Sequence, residues 1–221
     1  MGSALMASGA MGLPVSGFPN MNAIMLEDTL GNPYLTTMDF FKAGIPANGA
    51  GKTTLLEKIK NLYTGHPGMA PSRIQPTVGV NIGKIPMKRT LVKFLDLGGQ
   101  PDLRGIWESY YEDSHAIVFV IDSCNSERIE EAKEALLGLM EARDLDGVPV
   151  LVLANKRDLK GMSLAEVKEM VNSMADFMEE RDVRVLDSSG LDGEGVRAAV
   201  EWVYSRIIEN RTKKPPIVPE T

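Results

Sequence analysis

Disulfides are the first thing this sequence excludes. One residue in 221 is a cysteine, Cys124, so no internal bridge can form, and a reducing compartment suits the chain. No apolar run approaches the roughly 20 residues that cross a bilayer. The N-terminus lacks the basic start and compact apolar block of a secretory signal. Gly2 follows Met1, but Met6 stands where the myristoylation pattern needs Ser or Thr, and Pro219-Glu220-Thr221 is no prenylation motif. Positive charge is not in excess either. With 24 Lys and Arg against 30 Asp and Glu, the net charge is -6, and no nucleic-acid partner is expected. The two histidines, His66 and His115, lie far apart in sequence and suggest no metal pair. Cys124 sits just after an apolar run and reads as a small filler rather than a nucleophile.

What remains is ordinary globular composition, 43% hydrophobic and 24% charged, in a length that suits one sizeable domain. Residues 1–44 read as a divergent or disordered N-terminal segment, since residues 1–33 are rich in Gly, Ala, Ser, Met and Pro without helical or strand period. Residues 45–210 read as the folded domain. Residues 211–221 read as a flexible tail, whose Arg211, Lys213 and Lys214 are expected to be solvated.

Within the domain, apolar runs alternate with amphipathic segments. That pattern predicts an α/β fold with a mostly parallel six-stranded sheet flanked by helices. Strands are expected at 91–95, 115–121, 148–153 and 183–186, with 79–87 as an antiparallel edge partner of the first. Helices are expected at 52–63, 126–143, 163–179 and 193–209. Ser163-Leu164-Ala165-Glu166 is a capping box, and Val196, Val200, Val203 and Ile207 form the core stripe of the last helix.

Four short motifs fit one ligand. In Gly49-Ala50-Gly51-Lys52-Thr53-Thr54, small residues let the backbone wrap a phosphate and aim N–H groups at it, and the following helix adds its positive end. Lys52 would neutralise phosphate charge and the Thr53 hydroxyl would bind Mg²⁺. Asn48, just before this run, is counted with it as a nucleotide contact. In Asp96-Leu97-Gly98-Gly99-Gln100, Asp96 at a strand end can hold the metal. The Gly99 N–H can reach a γ-phosphate, and Gln100, the expected catalytic residue, can orient an attacking water. In Asn155-Lys156-Arg157-Asp158, Asp158 can accept two hydrogen bonds from guanine, a donor pair that adenine lacks. Lys156 would lie over the ring, and Asn155 would tie the loop to the phosphate loop. In Pro76-Thr77-Val78-Gly79, Thr77 can add a second hydroxyl to the metal when a γ-phosphate is present. Each motif alone also reads as a turn or a charged loop. Together, in this order and at strand ends, they point to a guanine nucleotide with Mg²⁺.

From residue 49 to about 210 the chain resembles the Arf-like small GTPases, a branch of P-loop NTPases. The likeness is carried by Thr77-Val78-Gly79-Val80-Asn81-Ile82-Gly83, Asp96-Leu97-Gly98-Gly99-Gln100, Trp107-Glu108-Ser109-Tyr110-Tyr111 and Gly147-Val148-Pro149-Val150-Leu151-Val152-Leu153-Ala154-Asn155-Lys156. The long stretch between Thr54 and Thr77 is similar to the Arf-related branch. Ser189-Gly190 is similar to the last base-binding loop, with Gly where Ala is usual, and the Gly190 N–H is expected to face the guanine oxygen. The resemblance implies slow GTP hydrolysis, an activating partner that supplies an arginine, and an exchange factor that releases GDP. It also implies a cytoplasmic protein, peripheral on Golgi and trans-Golgi membranes, that recruits effectors in vesicle traffic through positions matching Val80, Leu95 and Tyr110. Two edge strands that slide between nucleotide states match the stretch near 79–95.

The pattern breaks upstream. Pro46 stands where the phosphate loop has its first Gly, and it brings a fixed φ and no N–H. Met38–Ile45 is a poor version of the family's apolar strand into that loop, because Asp39 and Lys42 would be buried and Gly44 weakens a strand. The family's amphipathic N-terminal helix is not evident. Residues 1–48 therefore read as a start unlike the family's own, from a mis-assigned exon or a divergent isoform, with weak nucleotide binding expected if it is genuine. Two rivals follow: a non-cycling module of the same fold, and a P-loop kinase.

Overall fold

The computed structural model describes residues 20–28, 33–39, 49–75, 80–88, 90–98, 107–178 and 181–210. Seven strands are formed among them: β1 Asn20–Asp28, β2 Pro33–Asp39, β3 Asn81–Met87, β4 Thr90–Gly98, β5 Ile117–Asp122, β6 Val150–Asn155 and β7 Val183–Asp187. The helices are α1 Lys52–Thr64, α2 Ile129–Met140, α3 Leu164–Asn172 and α4 Val196–Asn210. The uninterrupted apolar runs become β5 and β6 because both faces of these strands are covered. Every residue from Ile117 to Ile121 and from Val150 to Asn155 is buried.

β5, β6 and β7 form a parallel sheet, with Ile117 opposite Val150, Asp122 opposite Asn155 and Val150 opposite Val183. β3 and β4 form the expected antiparallel pair, running from Asn81 opposite Asp96 to Met87 opposite Thr90. The α/β class with a parallel sheet and flanking helices holds. Among the described residues the ladders form a four-stranded group, β2-β1-β4-β3, and the three-stranded one.

No regular structure was expected over residues 1–33, but β1 forms there at Asn20–Asp28. β1 pairs antiparallel with β4 on one side and with β2 on the other. Backbone pairing needs an available strand edge rather than side-chain periodicity, and β4 supplies that edge. Residues 40–48, including Pro46 and most of the weak strand candidate, lie outside the described residues.

Helix ends follow local chemistry. Gly51 precedes α1 at φ 80°, and Gly65 ends it at φ 71° with its N–H on the Asn61 carbonyl at 3.0 Å. Ser163 and Glu166 cap α3 reciprocally, but α3 stops at Asn172 and a single tight turn, Ala175–Phe177, follows. α4 starts at Val196 rather than 193. Gly193 and Gly195 take left-handed φ of 97° and 72°, and a Cβ on Gly195 would fall 2.1 Å from the Asp187 carbonyl. The α4 stripe of Val196, Val200, Val203 and Ile207 is buried as expected.

Two cores sandwich the strands. One places Leu95, Leu97, Ile117, Phe119 and Val152 against α2 and α3. The other places Val92, Phe94, Val118, Val120 and Leu151 against α1 and α4. Both cores span β4, β5 and β6, so the two sheets share them.

Candidate nucleotide-binding site

The carboxyl ends of β4 and β6 deliver Asp96 and Asn155 to the turn before α1. Gly51 makes that turn possible in two ways. Its φ of 80° is left-handed, and an added Cβ would sit 2.8 Å from the Asn155 amide nitrogen. α1 then begins at Lys52, with its first helical bond from the Leu55 N–H to the Gly51 carbonyl at 2.8 Å. The preceding N–H groups have no intrahelical acceptor, and with the helix dipole they favour an anion.

Lys52 is 5% exposed. Burial pushes its ammonium pKa from 10.5 down to about 8, against the opposing pull of the Asp96 carboxylate. Loss of hydration thus outweighs the nearby charge. Asp96 is fully buried and accepts a hydrogen bond from the Thr53 hydroxyl at 2.8 Å. A hydroxyl and a carboxylate this close are hard oxygen donors that fit Mg²⁺. When bound there, the ion would neutralise phosphate charge.

Asn155 joins three loops through one side chain. Its amide nitrogen donates to the Ala50 carbonyl at 2.5 Å. Its oxygen accepts from the Gly190 N–H at 3.0 Å and from the Ser188 hydroxyl at 3.2 Å. Next to it, Lys156 has a left-handed φ of 68°, and its ammonium meets Asp122 at 2.7 Å. Asp158 lies exposed at the rim, where the Ser189 hydroxyl donates to its carboxylate at 2.6 Å and fixes its rotation.

Hydrogen bonds and close approaches therefore bring Ala50, Gly51, Lys52, Thr53, Asp96, Asn155, Asp158, Ser189 and Gly190 together, with Gly49 and Lys156 next to them along the chain. Thr54 is half-buried on the first turn of α1. Asn48, Thr77, Gly99 and Gln100 lie outside the described residues.

Two expectations change. The Gly190 N–H points to Asn155 rather than into the cleft, because the loop lies against α1. A Cβ at Gly190 would be 3.1 Å from the Leu55 nitrogen. Leu95 is 2% exposed, packed in the same core as Trp107 and Tyr111, and presents nothing to a partner. Val80 is 38% exposed, and Tyr110 is half-buried.

Sequence reading missed Asp122 and Ser188. Asp122 ends the apolar β5 much as Asp96 lies near the end of β4, a signal that was present. Ser188, fully buried beside Asn155, carried no such signal.

Residues 45–207 match the ADP-ribosylation factor family. The chain is 42% identical over 172 residues to ADP-ribosylation factor-like protein 3 of Saccharomyces cerevisiae, covering 77% of this chain and 86% of that protein. It is 39% identical over 171 residues to ADP-ribosylation factor-related protein 1 of Bos taurus, covering 76% and 85%. Among solved structures, the Arl6 BBS3 small GTPase of Trypanosoma brucei with the bound nucleotide analogue GppNp is similar at a TM-score of 0.60 and 28% identity. That match covers 72% of this chain and 92% of the other.

Proposed function

This chain belongs to the ADP-ribosylation factor family of small GTPases, and from that premise we propose that it cycles between GDP and GTP to recruit trafficking effectors at Golgi membranes. As a member it is a nucleotide-binding switch. The observation that carries the guanine reading is the Asp158 carboxylate, held at the cleft rim by Ser189 at 2.6 Å. A fixed anionic acceptor suits the paired donors on guanine and repels the acceptor edge of adenine. The same observation disfavours a kinase.

In the proposed cycle Lys52 and the N–H groups before α1 hold the phosphates. Thr53 and Asp96 hold Mg²⁺, with Thr77 joining them in the triphosphate state. Gln100 orients a water whose oxygen bonds the γ-phosphorus as the bond to the β–γ bridging oxygen breaks, leaving GDP and phosphate. Slow hydrolysis is accelerated by an activating protein, and an exchange factor releases GDP. Among the described residues no helix is long and apolar enough to cross a membrane. In this proposal Golgi attachment is peripheral, from the cytoplasmic side, as the family resemblance implies.

A second reading, a binding module that does not cycle, is favoured by one observation: Pro46 stands where the phosphate loop has its first Gly. Chromatography of nucleotide released from the denatured, purified chain tests the first reading. GDP or GTP is expected, and Asp158→Asn should move preference toward xanthine nucleotides. A chain that carries and binds no guanine nucleotide would sink the proposal. Binding without hydrolysis, with or without an activating protein, would select the second reading.

A further inference from the structure

Two lysines stand among the nucleotide residues, and each faces a carboxylate of its own. Asp96, from β4, pulls electrostatically on Lys52. Asp122, the last residue of β5, meets the Lys156 ammonium at 2.7 Å. In the cycle proposed above Asp96 holds the metal, whereas Asp122 has no task.

Strand register creates the second pair. Asp122 lies opposite Asn155 at the end of the parallel β5-β6 ladder. Lys156 follows, and its left-handed φ of 68° turns the chain out of the strand direction. A non-glycine residue in that region is strained and must be held by its surroundings. The Leu159 N–H and the Cys124 thiol both donate to the Lys156 carbonyl, at 2.9 and 3.6 Å. Ser123 sends its N–H and its hydroxyl to the Asn155 carbonyl, at 3.1 and 2.6 Å. The Ser123 carbonyl in turn accepts from the Met162 N–H at 2.7 Å, and a Cβ on Gly161 would collide with it. Asp122, Ser123 and Cys124 thus brace the base-reading loop at both its ends.

Ser123 and Cys124 act on backbone carbonyls of that loop, whereas Asp122 acts on a side chain. Its two oxygens divide the work. Oδ1 accepts from the Cys124 N–H at 3.1 Å, which fixes the rotation of the carboxylate, and Oδ2 receives the ammonium. The two side chains are 20% and 23% exposed, so the pair is partly withdrawn from water and less screened than a surface pair. A lysine side chain left free would have to be ordered as ligand binds, at a cost in entropy.

We propose that Asp122 is a positioning residue of the nucleotide site. It anchors the Lys156 ammonium, so the lysine stem is already laid out to cover the purine ring. Asp122 itself does not touch the nucleotide, and its role rests on the guanine-nucleotide reading given above. An anchor that keeps the ring covered acts mainly on dissociation. The opposite role has the opposite sign: a carboxylate that merely competed for Lys156 would weaken binding, and its removal would tighten it.

Asp122→Asn separates these roles, because the amide oxygen can still accept from the Cys124 N–H while the neutral side chain no longer holds the ammonium. Dissociation of fluorescent GDP from the full chain should become about tenfold faster, with association changed less than about twofold. Inosine diphosphate lacks the exocyclic amine that Asp158 reads. Preference for GDP over it should stay as in the parent chain, whereas general damage to the loop would lower it. In a Lys156→Met background there is no charge to anchor, and Asp122→Asn should then change dissociation less than about twofold. Slower or unchanged dissociation in the Asn variant overturns the proposal. So does an equal effect in the Met background, a lost preference for GDP, or an Asn variant that circular dichroism shows to be unfolded. A parent chain that binds no GDP removes the nucleotide reading and the positioning role with it. A parent that binds GDP, beside an Asn variant indistinguishable from it, removes the positioning role alone.

Discussion

Lys52 shows how a single residue trades stability for binding. Its pKa in the folded chain, about 8, lies below the ordinary 10.5. Between those values the unfolded chain holds more protons, so stability rises with pH across that window and the cost of the buried charge is fully present below it. A bound polyphosphate reverses the shift, because an anion favours the protonated form. Nucleotide affinity should therefore fall as the pH passes about 8, as read by fluorescent GDP titration. Lys52→Met should lose most binding and the pH dependence with it, while raising the melting temperature of the nucleotide-free chain. A Met variant that melts lower would contradict this account. Asn155 acts differently, since its cost appears only on removal. Asn155→Ala leaves the Ala50 carbonyl and the Gly190 N–H without their partner, and a loss of about 2–4 kcal/mol in urea unfolding is expected. Lys52 and Asn155 are both legible in the sequence, because each belongs to a motif whose spacing states its chemistry. Ser188 and Asp122 are less so, since their partners lie 33 and 34 positions away.

Individual elements follow their end signals more closely than their periodicity. The capping box at Ser163 is formed as read, with the Ser163 N–H on Glu166 at 2.7 Å. Ser163→Ala should cost about 1 kcal/mol, seen as a lower thermal midpoint, and Ser163→Asp should restore it. The helix expected to reach 179 ends at Asn172 all the same, because Met174 is 3% exposed and the chain tightens to seat it in the core. β3 illustrates the other influence. Ile82, Lys84 and Pro86 face solvent while Ile85 and Met87 are buried, and the exposure of Ile82 is not one its residue type announces. Pro86 carries no N–H, which discourages another strand from adding to this edge.

Across the whole molecule, the two cores tie both sheets into one cooperative body despite their separate ladders. Trp107 reports on the core that holds Phe119, and Trp202 packs against the core that holds Val118. Trp107→Phe and Trp202→Phe, each leaving one fluorophore, should give unfolding midpoints that coincide with the circular-dichroism transition once each is compared with its own variant. Separate midpoints would mean that the halves unfold independently.

The sequence by itself determined the family and most of the element order. Gly51-Lys52-Thr53, Asp96 and Asn155 to Asp158 have uses that depend on residue type and short spacing, and these survive without knowledge of the fold. Tertiary structure alone decided that Leu95 is covered, that the Gly190 N–H serves Asn155, and that β1 stands between β4 and β2. Burial depends on what packs above a side chain, and hydrogen-bond partners depend on which loops meet. Strand order depends on which backbone edge is open, a property that no side-chain pattern in residues 20–28 encodes.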